Sequence, residues 1–300
     1  MRRAPQWTDF KKYPVVSATI VTAVVVTFAC WSGKVDVKTL SETVEIRRGE
    51  IWRLLTSSFP HGDILHLAFN VYWTWVFGTL VEEQFGSFKT LAIFILLAVA
   101  ANGAEFAVLT GGIGLSGIGY GLFGMLWVLS RRDRRFAGVI DQKTIGLFVA
   151  WFFFCIFLTG AGYPIGNVAH GVGAITGALL GWAIVSEVPQ RRALSALLII
   201  LVIGVLVGVT IARPWINVSK YGGYEEGQLG YDALMAGRNE EAVGWLLDAT
   251  RMQPAEASYW YDMGIAYDRL GRHSEAGAAY RRAFNLDPSS NEYRYEAQRY

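Results

Sequence analysis

Seven stretches of this chain carry no charged residue and are almost wholly apolar: about 14–31, 67–81, 90–104, 113–130, 144–160, 164–186 and 194–212. Most come close to the ~20 residues with which a helix crosses a hydrocarbon core of ~30 Å. A 300-residue chain could otherwise make two soluble domains, but 53% hydrophobic residues, 11 Trp and a mean hydropathy of +0.30 place much of the apolar surface against lipid. The pattern predicts seven spans in an all-α, polytopic membrane bundle over residues 1–212. The second and third spans are the least uniform, because Asp63, His66, Asn70 and Glu105 lie in or beside them. Polar groups at such positions are costly unless they are buried and functional, so function is to be sought there.

The net charge of +2 excludes little, whereas the placement of basic residues predicts a topology. Arg2, Arg3, Lys11 and Lys12 precede the first span, Lys89 lies between spans two and three, Arg131, Arg132, Arg134, Arg135 and Lys143 between four and five, and Arg191 and Arg192 between six and seven. The connections at 110–113 and 160–166 carry none. The N-terminus is therefore expected in the cytoplasm of a plasma (inner) membrane, and the region after about 213 outside it. The loop at 32–60, with Lys34, Lys38, Arg47, Arg48 and Arg53, dissents, but it is long and also acidic. A cleavable signal peptide is the alternative reading of the first span, which ends in the small residues Ala29 and Cys30. The two cysteines, Cys30 and Cys155, both fall in apolar spans and read as small buried residues, with no metal-type spacing.

Past Pro214 the composition turns to mixed charge, Tyr and Ala, marking a linker over 213–222 and a second domain over 223–300. Gly230, Gly237, Ala242, Ala249 and Pro254 recur 34 positions later as Gly264, Gly271, Ala276, Ala283 and Pro288. That period, with small residues where paired helices touch, matches the tetratricopeptide (TPR) pattern. The second copy, with Trp260, Met263, Gly264, Tyr267 and Tyr280, is the fuller; the first has Glu226 where Trp is usual. Residues 291–300 are expected to contribute part of a capping helix. The domain reads either as a peptide- or protein-binding groove or as helical hairpins that only pack or dimerise.

Three segments carry chemistry. His61-Gly-Asp-Ile-Leu-His66-Leu-Ala-Phe-Asn70 enters span two, and His66 and Asn70, four apart, share one helix face. Gly112-Ile-Gly114-Leu-Ser116-Gly117 opens span four, where glycines let the chain turn sharply around an exposed nucleophile and let its neighbouring N–H groups face a substrate. Small residues with Ser are also commonplace at close helix contacts in membranes, so this motif alone does not decide. Asn167-Val-Ala-His170 opens span six, which continues with Gly173, Gly177 and Gly181, a smooth face for close helix approach. His170 alone could be a structural hydrogen-bonder. Topology adds that spans two, four and six run in one direction, so His66, Asn70, Ser116 and His170 all lie near their outer ends. Ser116 needs a base, neutral imidazole at His170 supplies one, and a developing oxyanion needs donors such as Asn70, His66 or the Ser116 N–H. Spans four and six hold no Asp or Glu to orient His170, so the pair reads as a dyad. His61, Asp63 and His66 are placed to line an entrance for water.

These motifs resemble the rhomboid family of intramembrane serine proteases over roughly residues 50–185. The match runs through Trp52-Arg53 with Thr56, His61/His66/Asn70, Glu82 with Gly86, Gly114-Leu-Ser116-Gly117 with Tyr120, and His170 with Gly173 and Gly177. The resemblance implies a six-helix core, a Ser116/His170 dyad, an oxyanion site at His66 and Asn70, and Tyr120 packed against the histidine. It also implies that the 32–60 loop embeds partly beside the core, that Arg53 and Glu82 are structural, and that the substrates are single-span membrane proteins cut in the outer part of the span. The seventh span and the repeats are additions to that pattern.

No cofactor or metal is called for: a metalloprotease would need spacing such as HExxH, which the chain lacks. The alternative from another class is a catalytically inactive rhomboid-like adaptor that binds membrane clients and recruits partners through its repeats; retention of Ser116 and His170 counts against it. A transporter would need more charge within the spans. Nucleic acid is not expected as a partner.

Overall fold

The computed structural model describes residues 6–300, and Arg2 and Arg3 of the topology argument lie outside them. Its long helices are α1 (Pro14–Trp31), α2 (Ile64–Phe85), α3 (Ser87–Val108), α4 (Ser116–Arg132), α5 (Gln142–Gly160), α6 (Asn167–Val185) and α7 (Val188–Val207). A π turn at Gly208–Ala212 and a helical turn at Arg213–Ile216 carry α7 on, so that its apolar helix runs over 29 residues, Val188–Ile216. Among the described residues six helices are long and apolar enough to cross a membrane: α1, α2, α3, α5, α6 and α7 with its extension. The expected fourth span, α4, has 17 residues, or ~25 Å at 1.5 Å per residue. It starts late because Gly111 and Gly114, at φ +86° and +112°, keep residues 111–115 out of the helix.

The described chain divides into two compact units, residues 6–107 with 111–210 and residues 108–110 with 211–300. In the first, Trp75, Phe77, Leu122, Met125 and Leu126 form part of a fully buried centre, while Phe153 and Phe157 of α5 and Ile199 and Ile203 of α7 are exposed. α4 and α6 meet backbone to backbone: a Cβ on Gly181 would lie 2.7 Å from the Met125 carbonyl oxygen, and Cβ atoms on Gly173 and Gly177 would collide with the Gly117 and Gly121 carbonyls. Buried acids complete helix ends, whose first N–H groups have no partner within the helix. Glu82 of α2 accepts from the Val15 and Val16 N–H groups at the start of α1, both at 3.0 Å. Arg53 donates to Glu50 and to the Lys38 and Ser41 carbonyls, tying down the 32–60 loop, in which Glu42, Val44 and Ile46 are buried.

The second unit contains α8 (Tyr224–Met235), α9 (Asn239–Met252), α10 (Ala257–Arg269), α11 (His273–Leu286) and α12 (Asn291–Arg299). Each repeat seats a large side chain against a glycine: Leu246 against Gly230, and Tyr280 against Gly264. α12 adds the capping helix, with the Tyr293 ring 4.7 Å from that of Tyr261. Glu226 departs from the repeat pattern for a local reason. It is wholly buried and takes a charge-assisted hydrogen bond from Arg213, itself buried at the end of the α7 extension. The stretch 213–222 is therefore anchored: Asn217 donates to the Leu109 carbonyl and the Val218 N–H to the Val108 carbonyl.

Candidate active site

Ser116 is the first residue of α4 and His170 lies in the first turn of α6, so the backbone contact between these helices fixes how near the two side chains can come. The Ser116 hydroxyl oxygen and His170 Nε2 are 2.9 Å apart, within reach of a proton transfer. His170 is buried and its Nδ1 has no hydrogen-bond partner, so no carboxylate stands behind it. The ring is held from its face instead, stacked on Tyr120 at 4.6 Å and 24°. Tyr120 is in turn fixed by its hydroxyl donating to the Phe148 carbonyl.

Asp63 caps α2 by accepting from the Leu65 and His66 N–H groups, both at 2.9 Å, which aims the first turn bearing His66 and, one turn on, Asn70. The Asn70 side-chain nitrogen is buried with no hydrogen-bond partner, a donor left over for a ligand. His66 lies against Gly114: a Cβ there would sit 2.8 Å from its Nε2. Gly114 is thus required twice, for its positive φ and for the space that His66 occupies. A Cβ on Gly117 would lie 2.7 Å from the Ala101 Cβ, so that glycine lets α4 settle against α3.

His61 does not line a water entrance, as the sequence suggested. It is 2% exposed, its Nε2 accepts from the Leu115 N–H at 3.3 Å, and its ring packs at 4.8 Å against that of His66. Burial pushes its pKa down to about 3, so it is neutral and serves as a brace for the loop before Ser116. Asp63, as the α2 cap, is a brace as well.

Sequence reasoning gave no role to two buried acids beside the site. Glu105 of α3 accepts from the Ala169 N–H at 2.9 Å, capping the helix that carries His170. Glu42 accepts from the Gly112 N–H at 3.2 Å, and burial pushes its carboxyl up to about 8. Glu105 was visible as a charge in an apolar run; Glu42, in a charged loop, gave no signal. No cluster of metal-ligating side chains exists among the described residues.

A serine and a histidine are thus in contact at the heads of α4 and α6. Residues 48–187 match the Rhomboid domain family. The chain carries a rhomboid domain. Residues 257–290 match the tetratricopeptide repeat family, so a TPR repeat follows it. Similar proteins include rhomboid protease GlpG of Salmonella paratyphi A, Salmonella newport and Salmonella typhi, each 31% identical over 150 residues, which cover 48% of this chain and 51% of the relative. The chain thus spans about half the length of the curated relatives it matches. With the rhomboid domain and the apolar helices together, it is a multi-pass membrane protein.

Proposed function

We propose that this protein is an intramembrane serine endopeptidase that cuts membrane-spanning segments of other proteins with a Ser116/His170 dyad. The observation that carries this reading is the 2.9 Å contact between the Ser116 hydroxyl and His170 Nε2. As the hydroxyl attacks a peptide carbonyl, its proton passes to Nε2, and the new C–O bond leaves charge on the former carbonyl oxygen. The Asn70 amide, unpartnered at rest, donates to that oxyanion, with His66 and the Ser116 N–H as further donors. The protonated His170 returns the proton to the leaving amine as the C–N bond breaks. Water then attacks the acyl-enzyme, losing its proton to the same imidazole, which passes it to the Ser116 oxygen as the acyl C–O bond breaks and the acid is released.

His170 reaches this role without a third residue because Tyr120 holds the ring plane and Glu105 holds the first turn of its helix. The substrates are single-span membrane proteins. The N-terminus is cytoplasmic, the repeat domain lies outside the cytoplasm, and the repeats present a protein-binding surface. In liposomes, the wild-type protein is expected to cleave a membrane-tethered reporter, with Ser116→Ala slower by about 10⁴-fold or more. Cleavage that persists in Ser116→Ala would remove the assignment.

A further inference from the structure

The repeat domain differs from one end to the other in a way that peptide binding does not require. On α8, Tyr224, Gln228, Tyr231 and Met235 recur at the spacing of a single helix face and are all exposed. The opposite side, with Glu226, Gly230, Ala233 and Leu234, is the buried one. Moved on by the 34-residue period, Tyr224, Tyr231 and Met235 become Ser258, Ile265 and Arg269, and one period further the first two become Glu292 and Arg299. The bare aromatic face is confined to the first repeat, so it is not part of the repeat pattern.

That repeat is also the one joined to the membrane helix. Along α7 and its extension, Ile203, Val207, Ile211 and Trp215 form an exposed apolar stripe at four-residue spacing, the face that such a helix turns to lipid. Beyond the helix end Val218 and Tyr221 are exposed as well, and Tyr224 opens α8. The Arg213–Glu226 pair joins α8 to the helical turn at Arg213–Ile216 that ends this apolar helix. Arg251 of α9 adds a contact over the Trp215 ring at 4.7 Å. Tyr and Trp are enriched where hydrocarbon meets headgroups, their rings in one and their polar ends in the other. Lys220, exposed with its ammonium 4.9 Å from the Tyr221 ring, adds a basic group suited to anionic headgroups.

We infer that the exposed face of α8, with Trp215, Val218 and Tyr221, lies in the lipid headgroup region, so that the first repeat rests on the bilayer while the later repeats stand in water. The test places one fluorescent label per molecule on full-length protein in which Cys30→Ser and Cys155→Ala remove the native thiols. Tyr224→Cys and Tyr231→Cys report on the face, and Ser274→Cys, exposed in α11, is the reference. In nanodiscs of phosphatidylcholine and phosphatidylglycerol, headgroup-region nitroxide lipids should quench the first two labels several-fold more than the third. Aqueous iodide should do the reverse. Labels at 224 and 231 as open to iodide as that at 274 would overturn the proposal. So would labels shielded from both quenchers, which would make the occupant a protein. A second variant keeps the test independent of any one cysteine: with Met235→Cys as reporter, adding Tyr224→Ser and Tyr231→Ser should shift quenching from lipid toward iodide, and unchanged lipid quenching there would equally overturn it.

Discussion

The α4–α6 contact and the repeat hairpins use glycine in opposite ways. Between α4 and α6 a glycine of one helix meets the other's backbone, as Gly177 meets the Gly121 carbonyl and Gly181 that of Met125. In the repeats a glycine makes room for a side chain, as Gly264 does for Tyr280 and Gly230 for Leu246. The difference follows from solvent. Lipid tails are as apolar as leucine, so membrane helices gain little by burying large side chains and gain instead by close approach. In water, burying a large side chain is itself the drive, and the small residue opposite is its seat. For the rhomboid domain the close approach has a second use, because it brings the heads of α4 and α6, and hence Ser116 and His170, within 2.9 Å.

The units also differ in their buried acids. Glu82 and Glu105 serve backbone N–H groups at helix starts, whereas Glu226 serves a buried guanidinium. Hydrocarbon leaves a helix end few other partners, so a capping acid there replaces what water would give.

The sharpest way to break the comparison is Gly177→Leu, whose side chain has only backbone to displace. We expect destabilisation of about 3 kcal/mol or more, read as a drop in melting temperature in detergent together with loss of serine labelling. Full labelling at wild-type stability would show that the helices do not rely on backbone contact. In the repeat unit, Glu226→Ala removes the carboxylate that the buried Arg213 donates to and should cost about 3–5 kcal/mol, seen as early proteolysis after residue 213 with the membrane domain intact. Gly264→Ala is milder, about 1–3 kcal/mol, because the group it meets, 2.6 Å from the new Cβ, is the Tyr280 ring and can turn aside.

The smallest effect concerns Glu42. Its folded pKa of about 8 lies above its unfolded value, so its contribution is fully present below the unfolded pKa and is lost as pH rises toward and through 8. Glu42→Gln should therefore flatten the stability-versus-pH curve between about pH 5 and 8, with melting temperature as the readout. An unchanged slope would mean that Glu42 is not held neutral.

The spans were legible because charge placement and apolar run length are local properties. α4 is the exception in length, since glycines with positive φ delay its start. Ser116, His170, His66 and Asn70 stood out because each is a polar residue in an apolar helix. What escaped notice is what no local pattern encodes. Glu105 and Glu42 act on backbone N–H groups 64 and 70 positions away, which leave no mark in the sequence. The sequence places His61 near a mouth for water, whereas the buried Leu115 N–H takes its ring as an acceptor across 54 positions. Glu226 stands where the repeat pattern has Trp because it pairs with Arg213, which lies outside the repeat.

The central claim is that the Ser116 oxygen is a nucleophile activated by His170. Treating the detergent-solubilised protein with a fluorophosphonate and mapping the adduct by mass spectrometry tests it directly. The account predicts a phosphonyl group on Ser116, lost in His170→Ala although that variant still folds. An adduct elsewhere, or equal labelling of Ser116 without His170, would contradict it.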